Sequence, residues 1–113
     1  MEEIDPCGDV IFIVGPELAR LRVHSMYLKK ASEVFAAMFG PRFSEGRELS
    51  EDHPKEVKLP EDNPVAMRII CGVIHFRTDM VPDKLSPVDI LRVALAADKY
   101  GIVPVMNFAL RNW

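Results

Sequence analysis

A chain of 113 residues, 49% hydrophobic and 27% charged, can bury one core and is too apolar for global disorder. Its formal net charge of −3 opposes broad nucleic-acid binding, which needs dense positive charge to displace counterions. No apolar run reaches the roughly 18 residues of a membrane span. The acidic start, Met1-Glu2-Glu3-Ile4-Asp5, lacks a signal-peptide pattern, so an intracellular protein, cytoplasmic or nuclear, is expected.

An N-terminal tail over 1–8 is expected to precede one domain over 9–113. From Asp9 to Val14 the chain alternates, with Val10, Phe12 and Val14 on one side and Ile11 and Ile13 on the other. Both sides are apolar, which predicts a strand buried on both faces. Gly15-Pro16-Glu17 marks a turn. Leu21 and Val23 then alternate with Arg20, Arg22 and His24, as in the half-exposed second arm of a hairpin.

Two short helices follow. Ser25 is placed to cap the first, over Met26 to Lys30. Ser32 is placed to cap the second, whose apolar face is Phe35, Met38 and Phe39 and which Gly40-Pro41 stops. Between Glu45 and Asp62 seven acidic residues outnumber three basic ones, so this stretch is expected to be a solvated loop. Val57 and Leu59, alternating with Lys58, mark a short strand near its end.

Asn63-Pro64 joins a cap residue to proline at the first helical position, starting a helix that runs to about Phe76. Val65, Ile69, Ile70, Val73, Ile74 and Phe76 give it a wide apolar surface, so it belongs in the core. Ser86-Pro87-Val88-Asp89 opens another helix by the same logic. Its apolar positions are expected at Ile90, Leu91, Ala94 and Leu95, with Gly101 ending it. A last apolar segment runs from Val103 to Trp113 and stops without a capping signal, as a piece of a longer protein would. The order predicts an α+β fold, a small three-stranded sheet flanking about five to six helices.

Chemistry-bearing motifs are sparse. His24, His53 and His75 are far apart, and neither Cys7 nor Cys71 has a zinc-ligand spacing with them, so no metal site is expected. Two reduced thiols are expected, with a Cys7–Cys71 bridge as the alternative. Glycine-rich phosphate loops and the nucleophile-elbow pattern are absent, so no cofactor is expected. Asp9, His24 and Ser32 are the one catalytic constellation the residue types permit. No motif places a nucleophile beside the histidine, and Asp9 on the neighbouring strand is a hydrogen-bond partner for a buried His24. Scaffolding is the better account, and no catalytic residue is expected. Arg20, Arg22, Lys29 and Lys30 form a small basic cluster, either solvated surface or a contact for an acidic partner.

Taken together these stretches resemble the BTB/POZ family. Asp9-Val10-Ile11-Phe12-Ile13-Val14 is similar to its opening strand. His24-x-x-x-Leu28-x-x-x-Ser32-x-x-Phe35 is similar to its most recognisable stretch, Val57-Lys58-Leu59 to its third strand, and Ala96-Ala97-Asp98-Lys99-Tyr100 to the end of its penultimate helix. The resemblance covers Asp9 to about Leu110. It implies a protein–protein interaction module, not an enzyme, with Asp9, His24, Leu28, Ser32, Phe35, Asp98 and Tyr100 as structural signature.

Two departures narrow what carries over. Many members have a long N-terminal arm that swaps between partners. Only eight residues precede Asp9 here, so the resemblance does not extend to a swapped dimer. In some transcription-factor members an arginine follows the histidine and pairs with the opening aspartate. Ser25 stands there, so corepressor recruitment by that charged pocket is not implied. Phe43-Ser44-Glu45 resembles the hydrophobic–x–glutamate motif by which ubiquitin-ligase adaptors of this family grip a cullin scaffold; a Phe43 folded onto its own core is the alternative. The resemblance therefore implies an adaptor for a cullin-type ligase. The other role it allows is homo-oligomerisation through the first short helices, with Met26 and Tyr27 at the contact.

Overall fold

The computed structural model describes residues 1–40 and 49–102. In chain order the elements are β1 (Glu2–Glu3), β2 (Val10–Val14), β3 (Ala19–Val23), α1 (Ser25–Ala31), α2 (Glu33–Met38), β4 (Lys55–Leu59), α3 (Pro64–Ile74), a 3-10 turn (Thr78–Met80) and α4 (Pro87–Lys99). The last apolar segment, over 103–113, and the motif Phe43-Ser44-Glu45 lie outside the described residues.

The α+β class holds, with one strand more than expected: among the described residues the sheet has four strands in the order β1-β3-β2-β4. β2 and β3 form the antiparallel hairpin, pairing Phe12 with Leu21. β4 joins β2 in parallel, pairing Phe12 with Val57, so the chain must cross over between them, and α1 and α2 lie in that crossover. The added strand comes from residues 1–8, expected as a tail. Glu2 and Glu3 pair in parallel with Leu21 and Arg22 of the same chain, and Ile4 is buried in the core. Gly8 permits this docking, because a Cβ there would lie 2.3 Å from the carbonyl oxygen of Val23.

β2 is buried on both faces, by two different means. Val10, Phe12 and Val14 enter the core with Leu21, Val23, Val57 and Leu59. Ile11 and Ile13 face the other way, beside Arg22 and Glu56 and beside Arg20 and Lys58. Arg20 reaches across β2 to Glu56 at 2.6 Å. The apolar stems of such charged neighbours suit cover of the two isoleucines, which are 8% and 7% exposed.

The helix starts are local. His24, not Ser25, caps α1: its Nδ1 accepts from the Met26 N–H at 3.2 Å, and Ser25 is the first helical residue. Ser32, Asn63 and Ser86 cap α2, α3 and α4 as their positions predict. The buried face of α4 is not the expected one. Val93 and Ala97 are fully buried, followed by Tyr100 and Ile102, while Val88, Leu91 and Leu95 are exposed. Both stripes have helical spacing. The small Val93 and Ala97 lie at i, i+4 and allow a close approach, and α3 is the helix against which α4 packs.

This face assignment sets two stability values. Ala97→Leu adds bulk at a filled position and is expected to cost about 1–3 kcal/mol. Leu91→Ser should change stability by less than about 0.5 kcal/mol. Urea unfolding measures both, and the reverse ranking would return Leu91 to the core.

Candidate functional site

Asp9 ends the turn before β2 and is buried. Its carboxylate accepts from the Ser25 backbone N–H at 2.8 Å and from the Ser25 hydroxyl at 2.6 Å. The expected bond to His24 is replaced: His24 Nδ1 lies 3.8 Å from Asp9 Oδ1 and serves as the helix cap instead. Ser25 thus satisfies both oxygens of the buried carboxylate by hydrogen bonding.

His24 is tied down through its backbone. Its N–H donates to His75 Nε2 at 2.9 Å, and His75 Nδ1 lies 2.7 Å from the Cys71 carbonyl. One ring nitrogen must accept and the other donate, which selects the neutral imidazole protonated on Nδ1. Burial pushes the His75 pKa below 6.5, against the opposing pull of the Cys71 carbonyl. Cys71 is fully buried and its thiol is pushed up to about 12, first by burial and then by the Asp62 carboxylate. Both cysteines are free, so the Cys7–Cys71 bridge does not form.

Ser32 holds a second junction. Its Oγ accepts from the Phe35 N–H at 3.0 Å and donates to the Tyr100 carbonyl at 2.5 Å. The Phe35 ring stacks on Tyr100 at 4.5 Å and on Phe12 at 5.6 Å. Tyr100 donates its hydroxyl to Asp62, which also takes Lys99 at 2.5 Å. Burial, and then that carboxylate, raises the Tyr100 pKa. Leu28 and Phe35 are fully buried. Asp98 differs from the other signature residues: it is exposed, and its backbone carbonyl receives the Gly101 N–H at 3.1 Å.

Of the candidate catalytic constellation, Asp9 and His24 come within 3.8 Å of each other, but each of the three is engaged by other groups. Asp9 is committed to Ser25, His24 to Met26 and His75, and Ser32 to Phe35 and Tyr100. A shallow depression of about 300 Å³, between Met1, Glu2, Arg20, Pro64, Val65 and Arg68, includes none of the three. Among the described residues no group of His, Cys, Asp or Glu is arranged to hold a metal, and no helix is long and apolar enough to cross a membrane.

One exposed apolar patch lies on α1 and beside it. Met26 is 45% exposed, and Tyr27, half-buried beside it, packs its ring near His24, His75 and Phe76 at 6.3, 5.2 and 6.4 Å. Phe76 is 81% exposed. Lys29 and Lys30 flank this patch. Sequence reasoning singled out Met26 and Tyr27 but placed Phe76 in the core, because an aromatic at helical spacing carries no sign of which way it faces. It also missed Asp62, His75 and Arg77. Arg77 donates to the Ile4 carbonyl at 2.7 Å and pairs with Asp79, which fastens the N-terminal segment to the end of α3.

The His75 arrangement makes stability depend on pH. Its folded pKa is depressed, so the unfolded chain, with an ordinary imidazole near 6.5, binds the proton first as pH falls. The contribution is complete above about 6.5 and is lost from there down to the folded value. Urea midpoints across pH 5 to 8 should show this slope in the wild type and a smaller one in His75→Gln. Equal slopes would remove His75 as the cause. A thiol reagent under native conditions should modify Cys7 and spare Cys71 until the chain unfolds.

No curated protein matches the chain in sequence. A structure of the BTB (Tramtrack and Bric a brac) domain of human gigaxonin is similar at 15% identity and a TM-score of 0.63, covering 92% of this chain and 75% of that one. The BTB domain of zebrafish PATZ1 is similar at 20% identity and a TM-score of 0.61, covering 89% of this chain and 70% of that one. Both likenesses are of fold. A family model for the BTB/POZ domain matches residues 3–110, nearly the whole chain. On that match the chain belongs to the BTB/POZ domain family, a family of protein–protein interaction modules.

Proposed function

We propose that this domain works as an adaptor that associates with a second copy of itself through α1. The observation that carries this reading is the exposed surface of Met26, Tyr27 and Phe76, two of them well over a third exposed. Surface apolar residues clustered around aromatic rings are the usual composition of an interface centre. Because Glu2 and Glu3 pair with β3 of their own chain, the arm is engaged at home, which favours contact through the helix over arm exchange. No catalytic step is assigned to the domain. Sedimentation equilibrium at 1–100 µM should show a dimer, and Met26→Lys should shift it toward monomer by at least about tenfold in Kd. A wild type that is monomeric throughout this range would sink the reading.

A second reading rests on a sequence observation, the Phe43-Ser44-Glu45 motif. An apolar side chain next to a carboxylate suits docking into a pocket with a polar rim, as in cullin-type scaffold recruitment. The two readings are compatible, since they use different segments. Phe43→Ala and Glu45→Lys should each abolish capture of a cullin N-terminal domain in a purified binding assay while leaving the circular dichroism spectrum unchanged. Undiminished binding in both variants would dispose of this second reading.

A further inference from the structure

We propose that Phe76 is the anchor of the self-association surface, an aromatic ring held at a backbone position that the fold by itself would assign to glycine. The inference rests on the self-association reading above and specifies the residue on which it turns. α3 and α4 end in the same hydrogen-bonded closure. After α3, the N–H of Phe76 donates to the Val73 carbonyl at 3.1 Å and that of Arg77 to Gly72 at 2.8 Å. After α4, the N–H of Gly101 donates to Asp98 at 3.1 Å and that of Ile102 to Ala97 at 2.9 Å. The left-handed residue in this motif is Gly101 in one case, with φ 66°, and Phe76 in the other, with φ 58°. Glycine is the usual occupant because a Cβ is crowded in that conformation.

Phe76 does not recover the strain by burial, since it is 81% exposed. Its ring meets the edge of Tyr27, 6.4 Å away with the planes at 75°. Tyr27 is in turn set against His75 and His24, so the exposed ring stands at the end of an aromatic series. A strained backbone presenting a rigid, solvent-facing aromatic is what a binding anchor requires. Leu18 also has φ 58° and is 62% exposed, but it lies in the β2–β3 turn, away from α1 in sequence, and serves as a control.

The occupant is a second copy because the surface is self-complementary in charge. Glu51 lies 3.7 Å from His24 at the N-terminal end of α1, with exposed Asp52 next to it. Lys29 and Lys30 stand at the C-terminal end of this seven-residue helix, about 10 Å away at 1.5 Å per residue. A two-fold pairing across Met26 and Phe76 sets the acidic end of each copy against the basic end of the other.

The test compares Phe76→Gly, Phe76→Asn, Phe76→Trp and Leu18→Gly in the full chain. At dilutions where all are monomeric, Phe76→Gly and Leu18→Gly should each raise the Tm by about 4 °C or more, by relief of the backbone. Phe76→Gly and Phe76→Asn should weaken the dimer at least tenfold, whereas Phe76→Trp and Leu18→Gly should leave it within about threefold. Lys30→Glu should weaken it as well, and adding Glu51→Lys should restore it. A Phe76→Gly variant that dimerises like the wild type, or one whose Tm falls, would overturn the anchor. A double charge variant that fails to recover would overturn the two-fold pairing. A wild type that never dimerises would instead bring down the self-association reading, and this inference with it.

Discussion

The ring of Phe35 is the contact on which the remaining architecture depends. It lies between Phe12, at the centre of the sheet, and Tyr100, at the end of α4, and it also faces Phe39 at 6.3 Å. One side chain therefore joins the sheet, the helical pair and the last helix. Ser32, three residues earlier, converts that stacking into a fixed orientation by capping α2 and donating to the Tyr100 carbonyl. Stacking alone tolerates sliding, whereas a buried hydroxyl satisfied on both sides does not.

The same logic explains how α1 comes to present its outer surface. Asp9 clamps Ser25 from the sheet side, and His75 holds the His24 backbone from the side of α3. The helix is pinned at its first turn from two directions, which leaves Met26, Lys29 and Lys30 facing solvent. Both carboxylate oxygens of the buried Asp9 are satisfied by hydrogen bonds from Ser25. The residues that look most like chemistry in the sequence thus serve to fix α1 and the surface it turns outward.

The second face of the sheet shows how little structure a small domain can use to protect a strand. Ile11 and Ile13 are flanked in register by Arg20, Arg22, Glu56 and Lys58, and Arg20 pairs with Glu56 across the strand. Such cover also discourages edge-to-edge pairing, since it surrounds the apolar stripe with charge.

The amino-acid sequence by itself determined what is local. The β2–β3 hairpin follows from alternation and the Gly15-Pro16 turn. Three helix starts follow from Ser32, Asn63 and Ser86, because a cap bonds to an N–H only two or three residues onward. The core positions of β2 were legible for the same reason of short period, as were Ile69, Ile70 and Ile74 of α3, whereas Val65, expected on the same apolar surface, is exposed. Tertiary structure alone decided which stripe of α4 is buried, that Phe76 faces outward, that Asp9 bonds Ser25 in place of His24, and that Asp62 meets Tyr100. It also decided that Glu2 and Glu3 join the sheet. Each of these is a choice between partners that only the packed elements bring within reach, and neither periodicity nor propensity distinguishes two apolar stripes, or two hydrogen-bonding neighbours, before the surfaces meet.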